Sequence, residues 1–146
     1  MPTAASILRG KTDLTAPITA SPDSSVLEAA RLMNEHRIGA LCVVDEGGTL
    51  KGMFTERDIL TRVVAEGRDP ESTRVKDVMT HPVIACPPET SSDELRTIMR
   101  QCRIRHIPIL ENDTLLGVVS IGDLNMAQVQ VMTETISYLE RYMYQP

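Results

Sequence analysis

The sequence predicts an α+β chain: two β-α-β-β-α repeats packed as a pseudo-twofold pair, followed by a long C-terminal helix. Three observations predict it. The segment starting at Pro17 lies over the one starting at Pro82, with only two single-residue shifts of register along its length. Each copy changes from helical to strand periodicity at the same place. After Gly122 the apolar residues keep stepping by 3 and 4, so the last helix outruns its counterpart in the first copy.

The elements follow in order. Residues 1–14 read as an N-terminal arm, 15–65 as the first repeat, 66–81 as a polar linker, 82–126 as the second repeat and 127–146 as a helical extension. Each repeat opens with a short extended segment, Ile18 to Ala20 and Val83 to Cys86. A helix then starts on a capping box, Ser25-x-x-Glu28 and Ser91-x-x-Glu94, where hydroxyl and carboxylate satisfy free N–H groups of the first turn. Val26, Ala29, Ala30 and Met33 fall on one face, as do Leu95, Ile98, Met99 and Cys102. Two apolar runs separated by a polar turn follow, "ALCVV" and "LKGMFT", then "IPIL" and "LLGVVS", and each pair reads as a hairpin. A second helix begins at Thr55 or Ser120. In the last helix Val129, Met132, Ile136, Leu139 and Met143 form an a/d seam. That seam either folds back on its own domain or serves a dimer or other partner.

Composition narrows the function. With no Trp and only Phe54 as phenylalanine, the core is aliphatic and Met-rich, so a bound base would be held by aliphatic walls and hydrogen bonds. The net charge of −5 argues against coating nucleic acid or an anionic membrane. Cys42, Cys86 and Cys102 make an odd set without a CxxC pair, which favours a reducing compartment over a disulfide framework. His81, Cys86, Cys102 and His106 match no zinc spacing, so no metal is expected. No apolar run approaches the roughly 18 residues of a membrane span, and residues 1–11 lack a signal-peptide pattern, so a cytoplasmic location is expected.

The motif that recurs most clearly is "GMFTERDIL" at 52–60, returning as "GVVSIGDLN" at 117–125. A hydroxyl three residues before an aspartate at a helix start is itself a cap, with the carboxylate at the positive end of the helix dipole. It is also what a pair of adjacent ligand hydroxyls needs, as on a ribose, with Gly52 or Gly117 leaving room over the strand. The two roles are compatible, because a cap leaves carboxylate lone pairs free. Arg100, Arg103, Arg105 and His106 form a cationic stretch that reads as a solvated helix end or, at the helix-to-strand junction, as a phosphate contact. His106 also fits a neutral strand position. The equivalent place in the first copy holds Gly39-Ala40.

Together these residues resemble a tandem pair of CBS domains, a Bateman module. The resemblance rests on Pro22, Glu28, Ala29, Met33, Ile38, Val43-Val44-Asp45, Gly52 and Thr55-Glu56-Arg57-Asp58 in the first copy. In the second it rests on Arg103-Ile104-Arg105-His106-Ile107-Pro108, Gly117, Ser120 and Asp123. It covers about residues 15 to 126, and the chain closely resembles small stand-alone bacterial CBS-pair proteins. The resemblance implies a non-catalytic regulatory module that binds an adenosyl ligand (AMP, ADP, ATP, NAD(H) or S-adenosylmethionine) in clefts between the repeats and signals to a partner protein. It further implies a homodimer. Carried over residue by residue, one cleft takes Thr55 and Asp58 with Val83, Ile84, Arg105, His106 and Ile107. The other takes Ser120 and Asp123 with Ile18, Thr19, Ile38, Gly39 and Ala40. No GxSxG, P-loop or paired nucleophile and base supports an enzyme. The competing functions are a structural dimer with no ligand and a nucleotide-processing enzyme using Asp58 or Asp123.

Overall fold

A computed structural model describes residues 1–11 and 17–143. The elements run α1 (Ala4–Arg9), β1 (Thr19–Ala20), α2 (Val26–His36), β2 (Ala40–Val44), β3 (Leu50–Thr55), α3 (Glu56–Asp58) continuing into a π-helical stretch (Ile59–Val64), and α4 (Val75–Val78). They continue with α5 (Ser92–Cys102), β4 (His106–Glu111), β5 (Thr114–Ser120) and α6 (Ile121–Met143). This is the expected α+β class, with two sheets and a long final helix. The chain divides into two compact units, one holding residues 17–85 and Leu110–Gly117, the other residues 1–11, Cys86–Ile109 and 118–143.

In the first unit β2 lies between β1 and β3, parallel to the one and antiparallel to the other. Leu41, Val43 and Phe54 face α2, where Val26, Ala29 and Met33 supply the opposing apolar stripe. Burying Phe54 alone contributes on the order of 2–3 kcal/mol. On the other face of β2 the Cys42 thiol donates to the Met53 sulfur at 3.5 Å, so this strand is apolar on both sides and reads as a continuous run.

Segment 66–81, expected as a polar linker, is part of this core. It contains α4, and Val75 and Val78 are fully buried against α2 and the sheet. The 73–75 backbone docks on the start of α2: Val26 N–H donates to Thr73 O at 2.9 Å, and Val75 N–H donates to Ser24 O at 2.9 Å. Beyond α4, Met53 and Thr80 exchange two backbone hydrogen bonds of 3.0 and 2.8 Å, which adds a short extra strand to the outer edge of β3. Gly52 makes this possible. A Cβ there would stand 2.5 Å from Met79 Sδ and 3.0 Å from Thr80 O. The space expected over this glycine for a ligand is filled by the chain itself.

The second unit repeats the device with a different segment. Residues 1–11, expected as an arm, carry α1, started by a Thr3–Ser6 capping box. Ser92 N–H donates to Pro2 O and Ala4 N–H to Thr90 O, at 2.9 and 2.8 Å, so residues 2–4 cap α5 as residues 73–75 cap α2. Ala4 and Ile7 join Leu95, Met99, Ile107, Ile109, Val119 and Leu124 in the core. The extended segment expected at Val83 to Cys86 is reduced to one parallel bridge, Cys86 with Ile109. Pro82, Pro87 and Pro88 around it offer no N–H to a ladder. β4 and β5 pair across Asn112 and Asp113, both at positive φ, the geometry of a two-residue hairpin turn.

Helix α6 is buried only at Leu124, and every described side chain from Gln128 to Met143 is exposed. Its seam does not fold back on its own unit. Residues 144–146, and the boundary expected between residues 14 and 15, lie outside the described residues.

Candidate functional site

Both repeated aspartates sit at the third position of a helix whose preceding strand ends in a hydroxyl residue. Each carboxylate reaches back to cap that strand end. Thr55 N–H donates to Asp58 Oδ2 at 3.0 Å and Asp58 N–H to Thr55 Oγ1 at 3.2 Å. In the second repeat Ser120 N–H donates to Asp123 Oδ2 at 2.9 Å and Asp123 N–H to Ser120 Oγ at 3.0 Å. The capping role expected from the spacing is therefore present in both copies.

The surroundings differ. The Asp58 side chain is 5% exposed. It also accepts the Thr55 hydroxyl at 3.1 Å and the Thr80 hydroxyl at 3.0 Å, with Arg62 Nε 3.7 Å away. Asp58 is thus a carboxylate already solvated by two hydroxyls of its own chain. Asp123 is more open, at 21% exposed, and its Oδ2 meets the Lys11 ammonium at 2.9 Å. Lys11 also donates to Val118 O at 2.9 Å.

The other expected site residues fall around these starts. Gly39 O accepts Glu56 N–H at 3.0 Å and Ala40 pairs with Thr55, so Ile38-Gly39-Ala40 lies against the Asp58 helix start within one unit. Arg105 O accepts Ile121 N–H at 2.9 Å, which sets Arg105 and His106 beside the Asp123 helix start in the other unit. Arg105 is exposed and His106 half-buried, whereas Ile107 is wholly buried in the core. Ile18, Thr19 and Val83 are partly exposed and Ile84 exposed, all in the unit of Asp58. Neither buried cysteine is built as a nucleophile: burial pushes the Cys42 thiol up to about 12 and also raises that of Cys86.

The CBS domain family matches this sequence twice, over residues 12–65 and 75–129. The chain is a CBS-domain protein. Its sequence is 41% identical over 111 residues to the CBS domain-containing protein YhcV of Bacillus subtilis, covering 76% of this chain and 78% of that one. It is 39% identical over 124 residues to the mitochondrial CBS domain-containing protein CBSX3 of Arabidopsis thaliana, covering 82% of this chain but only 60% of that one. Among solved structures, the CBS-domain containing protein ATU1752 of Agrobacterium tumefaciens superposes with a TM-score of 0.79 at 37% identity, over 87% of this chain and 99% of that one. A hexameric CBS-CP12 protein from bloom-forming cyanobacteria superposes with a TM-score of 0.75 at 30% identity, over 85% and 69%. No helix among the described residues is long and apolar enough to cross a membrane.

Within this CBS pair, reading the sequence alone missed Thr80, Arg62 and the pairing of Lys11 with Asp123. Arg62 lies four residues past Asp58 on the same helical run and was legible by spacing. The α1 start was legible too, as Thr3 with Ser6 ahead of apolar Ile7 and a stop at Gly10. Thr80 and Lys11 carry no local signal, because each meets its aspartate only after the chain returns from a distant helix.

Proposed function

We propose that this CBS pair is a non-catalytic regulatory module that binds an adenosyl ligand (AMP, ADP, ATP, NAD(H) or S-adenosylmethionine) through the repeated aspartates and signals to a partner protein. The observation that carries the reading is the state of those carboxylates. Asp58 accepts two hydroxyls, which is the chemistry a ribose diol needs, and Asp123 presents a partly exposed carboxylate at a helix start. Both carboxylates have an occupant from their own chain. The Asp123 site is the readier of the two, because its ion pair with Lys11 is partly exposed whereas Asp58 is nearly buried under the Thr80 hydroxyl. Arg105 supplies a cation, and His106 a ring N–H, for a phosphate. No residue pair in either site is set up as nucleophile and base.

The exposed stripe Val129, Met132, Ile136, Leu139 and Met143 supports self-association as a homodimer through α6. The acidic balance supports a module that coats neither nucleic acid nor an anionic membrane, and we assign it to the cytoplasm. A second reading, a structural dimer with no ligand, is favoured by the near-complete burial of Asp58.

Thermal unfolding with each of AMP, ADP, ATP, NAD⁺, NADH and S-adenosylmethionine tests the proposal. A true ligand at 100 times its dissociation constant adds about 2.7 kcal/mol of stability. The gain should be lost at least in part in Asp123→Ala. No shift with any of the six overturns the proposal in favour of the structural dimer.

A further inference from the structure

We infer that Lys11 is a built-in competitor for the Asp123 carboxylate, so that a diol ligand binds there only by displacing it. The inference rests on the adenosyl reading of that site.

Lys11 is not a loose surface lysine that happens to lie near an acid. It follows α1 by two residues, and α1 is fixed by the buried Ala4 and Ile7 and by backbone hydrogen bonds from residues 4 and 5 to Thr90 O and Pro88 O. That anchoring holds the ammonium near its partner at a high effective concentration. The ammonium is also bound at two points, Asp123 Oδ2 and Val118 O, each at 2.9 Å. Asp123 Oδ2 already accepts Ser120 N–H. The ammonium therefore takes the second lone pair of Oδ2, and a diol that spans both carboxylate oxygens has to displace it there.

The first repeat supports the same assignment independently. There the segment that caps the repeat's first helix also goes on to deliver a residue to the aspartate, and that residue is neutral Thr80. In the second repeat the equivalent delivery brings a cation. The two sites thus have intramolecular occupants of different charge. The Asp123 occupant is released more easily by salt, because its ion pair is partly exposed.

Adenosine separates this role from a phosphate contact, because it carries the diol and no charge. Isothermal titration on the full chain should show adenosine binding on the order of fivefold tighter to Lys11→Met than to wild type. Wild-type affinity for adenosine should rise with added salt, while that of Lys11→Met stays flat. Lys11→Arg, which keeps the ion pair, should behave as wild type, and Asp123→Ala identifies the site being read. Equal or weaker adenosine binding in Lys11→Met overturns the inference. So does a loss confined to AMP, which would make Lys11 a phosphate contact. If wild type binds adenosine and Asp123→Ala does not, the adenosyl reading stands whatever Lys11→Met shows. If no variant binds adenosine, the inference fails, and the adenosyl reading fails with it only when the six-ligand thermal test is also blank.

Discussion

Asp58→Ala and Asp123→Ala make the same change in the same motif, yet the structure predicts unequal costs. Asp58 accepts Thr55 N–H and the Thr55 and Thr80 hydroxyls in a place 5% exposed. Removing it leaves a half-buried N–H and two hydroxyls without their charged acceptor. Thr55 Oγ1 keeps its bond from the N–H of residue 58. The Thr80 hydroxyl loses its partner, which loosens the extra strand at Met53. Hydrogen bonds to a charged group contribute roughly 1.5–3 kcal/mol each at most, and the hydroxyls can rotate toward other acceptors, so the total is about 2–4 kcal/mol. Asp123→Ala loses one N–H acceptor and one partly exposed ion pair, about 1 kcal/mol in all. Urea unfolding followed by circular dichroism, with the slope held common, reads both. A gap below about 0.5 kcal/mol, or a larger loss for Asp123→Ala, would refute the claim that Asp58 is an internal structural carboxylate.

Gly52→Ala should cost about 1–3 kcal/mol, because the new methyl meets Met79 Sδ and the Thr80 carbonyl. Adding Met79→Ala should recover part of that loss in a double-mutant cycle, and simple additivity would count against the contact. Cys102, exposed, should react with a thiol reagent in the native protein, while Cys42 reacts only on unfolding. The Cys42 thiol is pushed by burial from 9.0 to about 12, so its contribution to stability is complete below pH 9 and is lost as pH rises from there toward 12. Cys42→Ala should therefore flatten the alkaline end of the stability curve, and an unchanged alkaline end would show that other groups set it.

The parts of this fold that were legible in sequence are those governed by near neighbours. Ser25 and Ser91 do cap the helices expected of them, and Leu41, Val43, Leu95 and Met99 are buried as their spacing required. The helix stops were not legible. Both α2 and α5 end on an arginine in the left-handed conformation, Arg37 at φ 54 and Arg103 at φ 56, where a glycine is the usual sign. The next residue closes each end, Ile38 N–H to Met33 O and Ile104 N–H to Met99 O, both at 3.0 Å. The aspartates themselves were found by repetition, but what surrounds them was not. Thr80 and Lys11 depend on which distant segment docks on which repeat, and pattern within a window carries no information about that. Gly52 shows the same limit: small size was evident, but the occupant of the space was not.

The docking of residues 2–4 on residues 90–92 has a consequence for how the chain assembles. The ribosome delivers α1 first, but its partners in α5, β4 and α6 emerge only after the whole first repeat has been made. The segment that completes the first repeat, by contrast, follows it directly out of the tunnel. Closing the loop from Thr3 to Ser91 is entropically costly, because the whole first repeat lies between the two residues. The second repeat should thus mature last, with the apolar face of α1 waiting in the meantime. A bulky fusion placed ahead of Pro2 would then be felt in the repeat farthest from it along the chain.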